Sequence, residues 1–191
     1  MTKFVEPKRS SKKRSVQGGR KNEFIFILGG ARSGKSDLAL QLCRSFTPRA
    51  FVATAEPLDQ EMESRIRTHQ RHRRGKWDTV EIPVELSAWF RTQGRNYEGV
   101  VVDCLTLWLN NVLGEKTLRK KIPSLLKDWL QSVREVPGRV IVVSNEVGLG
   151  IVPGEPLARN FRDVAGRMNQ QVASVADEVY FVVSGIPLRL K

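Results

Sequence analysis

The chain of 191 residues is poor in cysteine, histidine and tyrosine, with two of each, and has no long apolar run. No stretch approaches the ~18 consecutive apolar residues that a membrane-spanning helix needs. Two cysteines, Cys43 and Cys104, exclude a disulfide framework and a four-thiolate zinc site. They fit a reducing, cytoplasmic setting, with core packing as their expected use. His69 and His72 stand three apart and do not form an H-x-x-x-H zinc pair. The guanine-reading motif N-K-x-D of non-catalytic GTP switches is absent. The four tryptophans are dispersed and offer no platform for stacked bases.

Positive charge is abundant, and it is uneven. Of the formal net charge of +12, residues 1–22 contribute eight Lys/Arg against Glu6 alone, a net +7, leaving +5 on the other 169 residues. This Ser/Gly-punctuated leader has too little apolar content to offset its ordering entropy, and its composition predicts disorder. No apolar segment follows its charges before Phe24, so it does not read as a secretory signal. One domain is expected over 23–191.

From Glu23 onward, short apolar runs alternate with amphipathic stretches. Residues 24–28, 50–54, 79–82, 99–104, 139–144 and 178–183 read as strands. Helices are expected over 35–45, 84–92 and 157–176, with a helix-like polar stretch over 58–73 and a helix pair over 117–135 broken near Pro123. Buried strands separated by helices imply an α/β fold, a mostly parallel sheet with helices on both faces. Ligands in such sheets collect at the carboxyl ends of the strands.

The first of those ends carries the strongest motif. Gly29-Gly30-Ala31-Arg32-Ser33-Gly34-Lys35-Ser36 satisfies G-x-x-x-x-G-K-[ST] between a strand and a helix. Glycines let the backbone N–H groups turn inward around a phosphate, and the following helix adds its free N–H groups to the same anion. Lys35 can reach the β- and γ-phosphates and the Ser36 hydroxyl can ligate Mg²⁺ or another divalent cation. Asp103, closing a strand of three valines, suits the second metal-holding position; the competing role is a cap for a helix beginning near Leu105.

Residues 65–76 hold six Lys/Arg and both histidines. A crowd of cations favours the neutral, nucleophilic imidazole, so His69 or His72 could attack phosphorus; a solvated basic helix face is the plainer alternative.

Together these stretches resemble the bifunctional adenosylcobinamide kinase/adenosylcobinamide-phosphate guanylyltransferases of cobalamin biosynthesis. The resemblance spans 24–191 and rests on more than the phosphate loop: Ala53-Thr54, Glu61-Met62, Arg65-Ile66, His69, Trp77 and Glu81 also carry it. So do Asn145 to Pro153, Phe161-Arg162-Asp163, Gly166 to Gln170 and Val183 to Leu188. It implies a RecA-like P-loop fold, a homotrimer, and both GTP and ATP as substrates alongside adenosylcobinamide or its phosphate. His69 falls where the family forms its covalent GMP–histidine. Residues 29–36, Ala53, Thr54, Ala55, Gln70, Arg71, His72, Arg73, Glu81 and Asp103 fall where it binds guanine nucleotide. The leader and the basic segment Lys116, Arg119, Lys120 and Lys121 depart from the family pattern.

Two rivals remain on the residues alone. A RecA-like nucleic-acid-dependent ATPase would use the excess positive charge, and a simple small-metabolite kinase would use the loop but leave His69 idle. The composition of the leader predicts that a chain lacking residues 1–22 turns over as the full chain does; steady-state assays of both check this.

Overall fold

The computed structural model describes residues 22–57, 60, 63, 75 and 77–191. Seven strands form one sheet: β1 (Glu23–Gly29), β2 (Arg49–Ala53), β3 (Asp78–Glu81), β4 (Gly99–Asp103), β5 (Arg139–Asn145), β6 (Glu178–Val183) and β7 (Ile186–Arg189). Their spatial order is β3-β2-β4-β5-β1-β6-β7, and every pairing is parallel except the β6–β7 hairpin at one edge. One strand, β5, therefore separates the strand that enters the phosphate loop from the strand that ends in Asp103. This is the expected α/β architecture, a mostly parallel sheet.

The helices are α1 (Lys35–Cys43), α2 (Leu86–Thr92), α3 (Leu105–Gly114), α4 (Ile122–Arg134) and α5 (Pro156–Val175). Side chains on a strand alternate between faces, and the core divides accordingly. Ile25, Ile27, Phe51, Val101, Ile141 and Val143 pack with Ala39 and Cys43 of α1 on one face. Phe24, Phe26, Val52, Val100, Val102, Val140 and Val142 pack against α2 to α5 on the other, with Trp108 and Trp129 among the largest fully buried side chains. Both faces are covered, with α1 on the first and α2 to α5 mainly on the second. The polar stretch 58–73 lies, apart from two residues, outside the described residues.

Three elements depart from the expectation. The helix α3 occupies Leu105–Gly114, where the sequence shows only a run of large apolar residues. Burial of Leu105, Thr106, Trp108, Leu109, Asn111 and Val112 leaves it almost no solvent face, so the usual apolar stripe is missing from its sequence. Strand β7 is short, holds Pro187 and lies at the sheet edge, where a missing N–H is tolerated. The expected helix pair over 117–135 becomes a single 3₁₀ turn, Arg119–Lys121, followed by α4 with its proline in the first turn.

Asn22, assigned above to the leader, is tied to the body. Its amide donates to the carbonyls of Val133 (2.9 Å) and Val136 (2.8 Å) and accepts from Arg134 (3.2 Å). The other residues of the leader lie outside the described residues.

Both cysteines are buried and unpaired. Burial, opposed by Arg139 and Arg49, pushes the Cys43 thiol up to about 12, and burial beside Asp103 does the same for Cys104. The folded protein is therefore expected to leave both thiols unmodified by iodoacetamide at pH 8, with both alkylated once it is unfolded in guanidinium. Mass spectrometry of the two samples reads the result.

Candidate functional site

The register of the parallel strands lines up the expected residues along one edge. Gly29 pairs with Asn145, Asp103 with both Val143 and Ala53, and Ala53 in turn with Glu81. Continuing the alternation of Ile27, Val101, Phe51 and Val143 puts Gly29, Asp103, Ala53, Glu81 and Asn145 on the α1 face. That is the face from which the phosphate loop rises.

Within the loop, Lys35 is the decisive side chain. It is buried, with Nζ donating to the Gly30 carbonyl at 2.6 Å. Burial lowers its pKa, while the neighbouring Cys104 and Asp103 oppose that shift. A desolvated ammonium curled onto its own loop is poised for a stronger anionic partner. The Ser33 hydroxyl is also buried, and it has no hydrogen-bond partner among the described residues. Arg32 and Gly34 adopt left-handed backbone, at φ 56° and 96°, which turns the loop into a concave nest. A Cβ on Gly29 would stand 2.7 Å from Ser33 Oγ and 3.2 Å from Lys35 Cγ, so the loop closes tightly on its own entry strand. The first N–H groups of α1, from Lys35 onward, have no acceptor within the helix. An orphaned hydroxyl, a buried cation and free N–H groups around a nest fit a phosphate.

Asp103 ends β4, half-buried, and its peptide bond to Cys104 is cis. It does not cap α3: Cys104 occupies the N-cap position and no side chain caps that helix. The capping alternative is thus not realised. Ser36 is half-buried in the first turn of α1. A hydroxyl and a carboxylate are hard oxygen donors, the chemistry that Mg²⁺ takes together with phosphate oxygens.

Thr54 is fully buried. Its hydroxyl donates to the Cys104 carbonyl (2.7 Å) and accepts from the Cys104 N–H (2.8 Å), and its own carbonyl accepts from Asn111. Its side chain therefore supports the turn after Asp103 from beneath. Ala55 follows, half-buried, and Glu81 is exposed at the end of β3. Gly30, Ala31 and Arg32 are exposed at the loop's crown. His69, Gln70, Arg71, His72 and Arg73 lie outside the described residues.

The sequence reading missed two supports. A buried polar chain runs from Thr106 Oγ1 to Ser144 Oγ (3.2 Å) and on to Asn169 Oδ1 (2.8 Å), joining α3, β5 and α5. It closes on the backbone of Asn145, whose N–H donates to Thr106 and whose carbonyl accepts from Asn169. Single polar residues inside apolar segments were its only visible trace. The second support is the β6–β7 turn. Ser184 and Gly185 are both left-handed, at φ 50° and 82°, as a two-residue hairpin turn requires. The Gly185 N–H donates to the Ser33 carbonyl at 2.8 Å, and a Cβ on Gly34 would touch Gly185 Cα at 3.3 Å. The hairpin props the loop from behind.

Beside the loop, the segment after β5 is anchored where the Glu146 N–H donates to the Gly29 carbonyl (3.1 Å) and Arg162 reaches the Gly148 carbonyl (2.5 Å). It exposes Leu149, Ile151 and Val152.

Residues 25–190 match the family described as cobinamide kinase / cobinamide phosphate guanyltransferase. The chain belongs to that family. It is 42% identical over 166 residues to the bifunctional adenosylcobalamin biosynthesis protein CobP of Pseudomonas aeruginosa, covering 86% of this chain and 95% of that protein. It is 38% identical to the bifunctional adenosylcobalamin biosynthesis protein CobU of Escherichia coli K12, and 36% identical to that of Salmonella typhimurium. Each of those two matches spans 179 residues, 87% of this chain and 99% of the relative.

The prop at Gly185 makes a separable prediction. Among the described residues no atom stands within 4 Å of a Cβ there, so a substitution acts mainly through the backbone. Gly185→Val, strained in the left-handed region by roughly 1–2 kcal/mol, should weaken binding of a fluorescent GTP analogue several-fold. Gly185→Asn, which tolerates that region, should retain it. Equilibrium titration of the three proteins decides.

Proposed function

We propose that this chain phosphorylates the hydroxyl of the aminopropanol arm of adenosylcobinamide with ATP or GTP, then transfers GMP from GTP to that phosphate, giving adenosylcobinamide-GDP. The observation that carries it is the pairing of a buried Lys35 with a partnerless Ser33 hydroxyl in a loop facing Asp103, in a member of this family.

In the first reaction the loop 29–36 wraps the β- and γ-phosphates. Lys35 exchanges its bond to the Gly30 carbonyl for phosphate oxygens and stabilises the charge that shifts toward the leaving group. Phosphoryl transfer asks little covalent chemistry of the protein, so this positioning and neutralisation supply most of the rate. Ser36 and Asp103 would hold a Mg²⁺ ion, which neutralises phosphate charge when bound.

In the second reaction His69, uncharged, attacks the α-phosphorus of GTP. A nitrogen–phosphorus bond forms as pyrophosphate leaves, and the phosphorylated corrinoid then displaces the histidine. Two easier displacements replace one crowded step. Arg71 and Arg73 stabilise the charge on the transferring group. Glu81, at the end of the row Asp103–Ala53–Glu81, accepts from guanine N1–H and the exocyclic amine, which accounts for the use of GTP. A homotrimer in the cytoplasm belongs to the same reading. Exposed Leu149, Ile151 and Val152, close together along one segment, support assembly, because exposed apolar clusters are the kind of surface that subunits cover.

Incubation with GTP and Mg²⁺ followed by peptide mass spectrometry should find GMP on His69. His69→Ala should lose this adduct and at least about 1000-fold of guanylyl transfer while keeping most of the kinase activity. Lys35→Ala should lose about 100-fold or more of both activities. A GMP adduct that persists in His69→Ala, or full kinase activity in Lys35→Ala, overturns the scheme.

A further inference from the structure

Asn145 is the last residue of β5, the strand that lies between the loop-bearing β1 and the Asp103-bearing β4. Its direct partner on β1 is Gly29. On β4 the residue level with Val143 is Asp103, so Asn145 stands two residues further along on the same face, diagonal to that carboxylate. Neighbouring strands are ~4.8 Å apart. A side chain on the α1 face at this point therefore lies next to Gly29, whose own Cβ position abuts Ser33 Oγ and Lys35 Cγ.

Two further observations set Asn145 apart from its neighbours. Its backbone is held on both sides, by Thr106 through the N–H (2.8 Å) and by Asn169 through the carbonyl (3.1 Å). Its carboxamide is half-buried and makes no hydrogen bond among the described residues. The adjacent polar side chains are all engaged: Ser144 with Asn169, Thr106 with Ser144, and Glu146 with the Gly148 N–H (2.7 Å). A rigidly mounted amide without a partner, between a phosphate-binding lysine and a carboxylate, is built to meet a ligand.

We propose that the Asn145 carboxamide is a further catalytic residue of the phosphoryl-transfer step, its Nδ2–H donating to a non-bridging oxygen of the γ-phosphate. The inference rests on the kinase reading above. In that step the acceptor hydroxyl oxygen bonds to the γ-phosphorus as the bond to the β,γ-bridging oxygen breaks. The nucleoside diphosphate leaves with the electron pair and the hydroxyl proton passes to solvent. Asn145 holds the moving group in line between the Lys35 side and the acceptor, and its contact is absent once the γ-phosphate is gone.

The signature is discrimination between tri- and diphosphate. In Asn145→Ala, affinity for the non-hydrolysable β,γ-imido analogue of ATP should fall about fivefold or more, with ADP affinity within twofold of wild type. The kcat for cobinamide phosphorylation should fall roughly 10- to 100-fold with the cobinamide KM little changed. Asn145→Asp, of the same shape but with a charge opposing phosphate, should lose more triphosphate affinity than the alanine variant. Asn145→Ser, which restores a donor, should regain part of the loss. Equal losses of di- and triphosphate binding, or lowered melting temperatures that track the activity losses, would reduce Asn145 to a structural residue and overturn the proposal. So would unchanged kinetics in Asn145→Ala and Asn145→Asp. A wild-type protein that shows the nucleotide discrimination but does not phosphorylate cobinamide would sustain Asn145 and refute the kinase reading instead.

Discussion

An ammonium group kept out of water is the most demanding element of this molecule, and much of the architecture answers to it. Lys35 is held against the Gly30 carbonyl, inside a loop too tight for a Cβ at Gly29, with the Asp103 carboxylate as a counter-charge. Left without phosphate, such a group is under-compensated, because one neutral carbonyl replaces only part of its lost hydration. The same deficit makes the loop avid for anions. Its shape must therefore be enforced by the surrounding fold rather than by the lysine's own contacts.

That enforcement comes from several directions. Beneath the loop, β1 is clamped between β5 and β6 over its length. On one side, Glu146 fastens the end of β5 to Gly29. Behind it, Gly185 fastens the hairpin to Ser33. Further along the edge, Thr54 locks the backbone after Asp103, and Asn111 locks Thr54 to the loop before α2 through the Pro83 carbonyl. Every one of these contacts joins segments far apart in sequence. The site is a product of the tertiary fold, though its most visible motif is local.

This explains how far the sequence could be read. The continuous apolar runs gave β1, β4 and β5 because strands buried on both faces carry no polar interruption. The phosphate loop was legible because its glycines and lysine answer to a fixed anion geometry. Helix α3 was hidden for the opposite reason: buried almost all round, it lacks a solvent-facing stripe to reveal its period. Thr54 reads as a nucleotide contact by position, yet its hydroxyl is spent on Cys104, which only packing reveals. Ser144, Thr106 and Asn169 look like stray polar residues along the chain. Folding turns them into one hydrogen-bonded line beneath the site.

The prop behind the phosphate loop also bears on how the protein comes into being. The loop lies at residues 29–36, while the turn that steadies it is made by Ser184 and Gly185, in the hairpin that closes the described chain. Contacts between such distant segments form late, since a long stretch of polypeptide must first be gathered in. As the polypeptide leaves the ribosome, the loop and its helix emerge long before their brace. The grip of the loop thus waits on the hairpin during synthesis, and nascent chains halted short of it carry the motif without its brace.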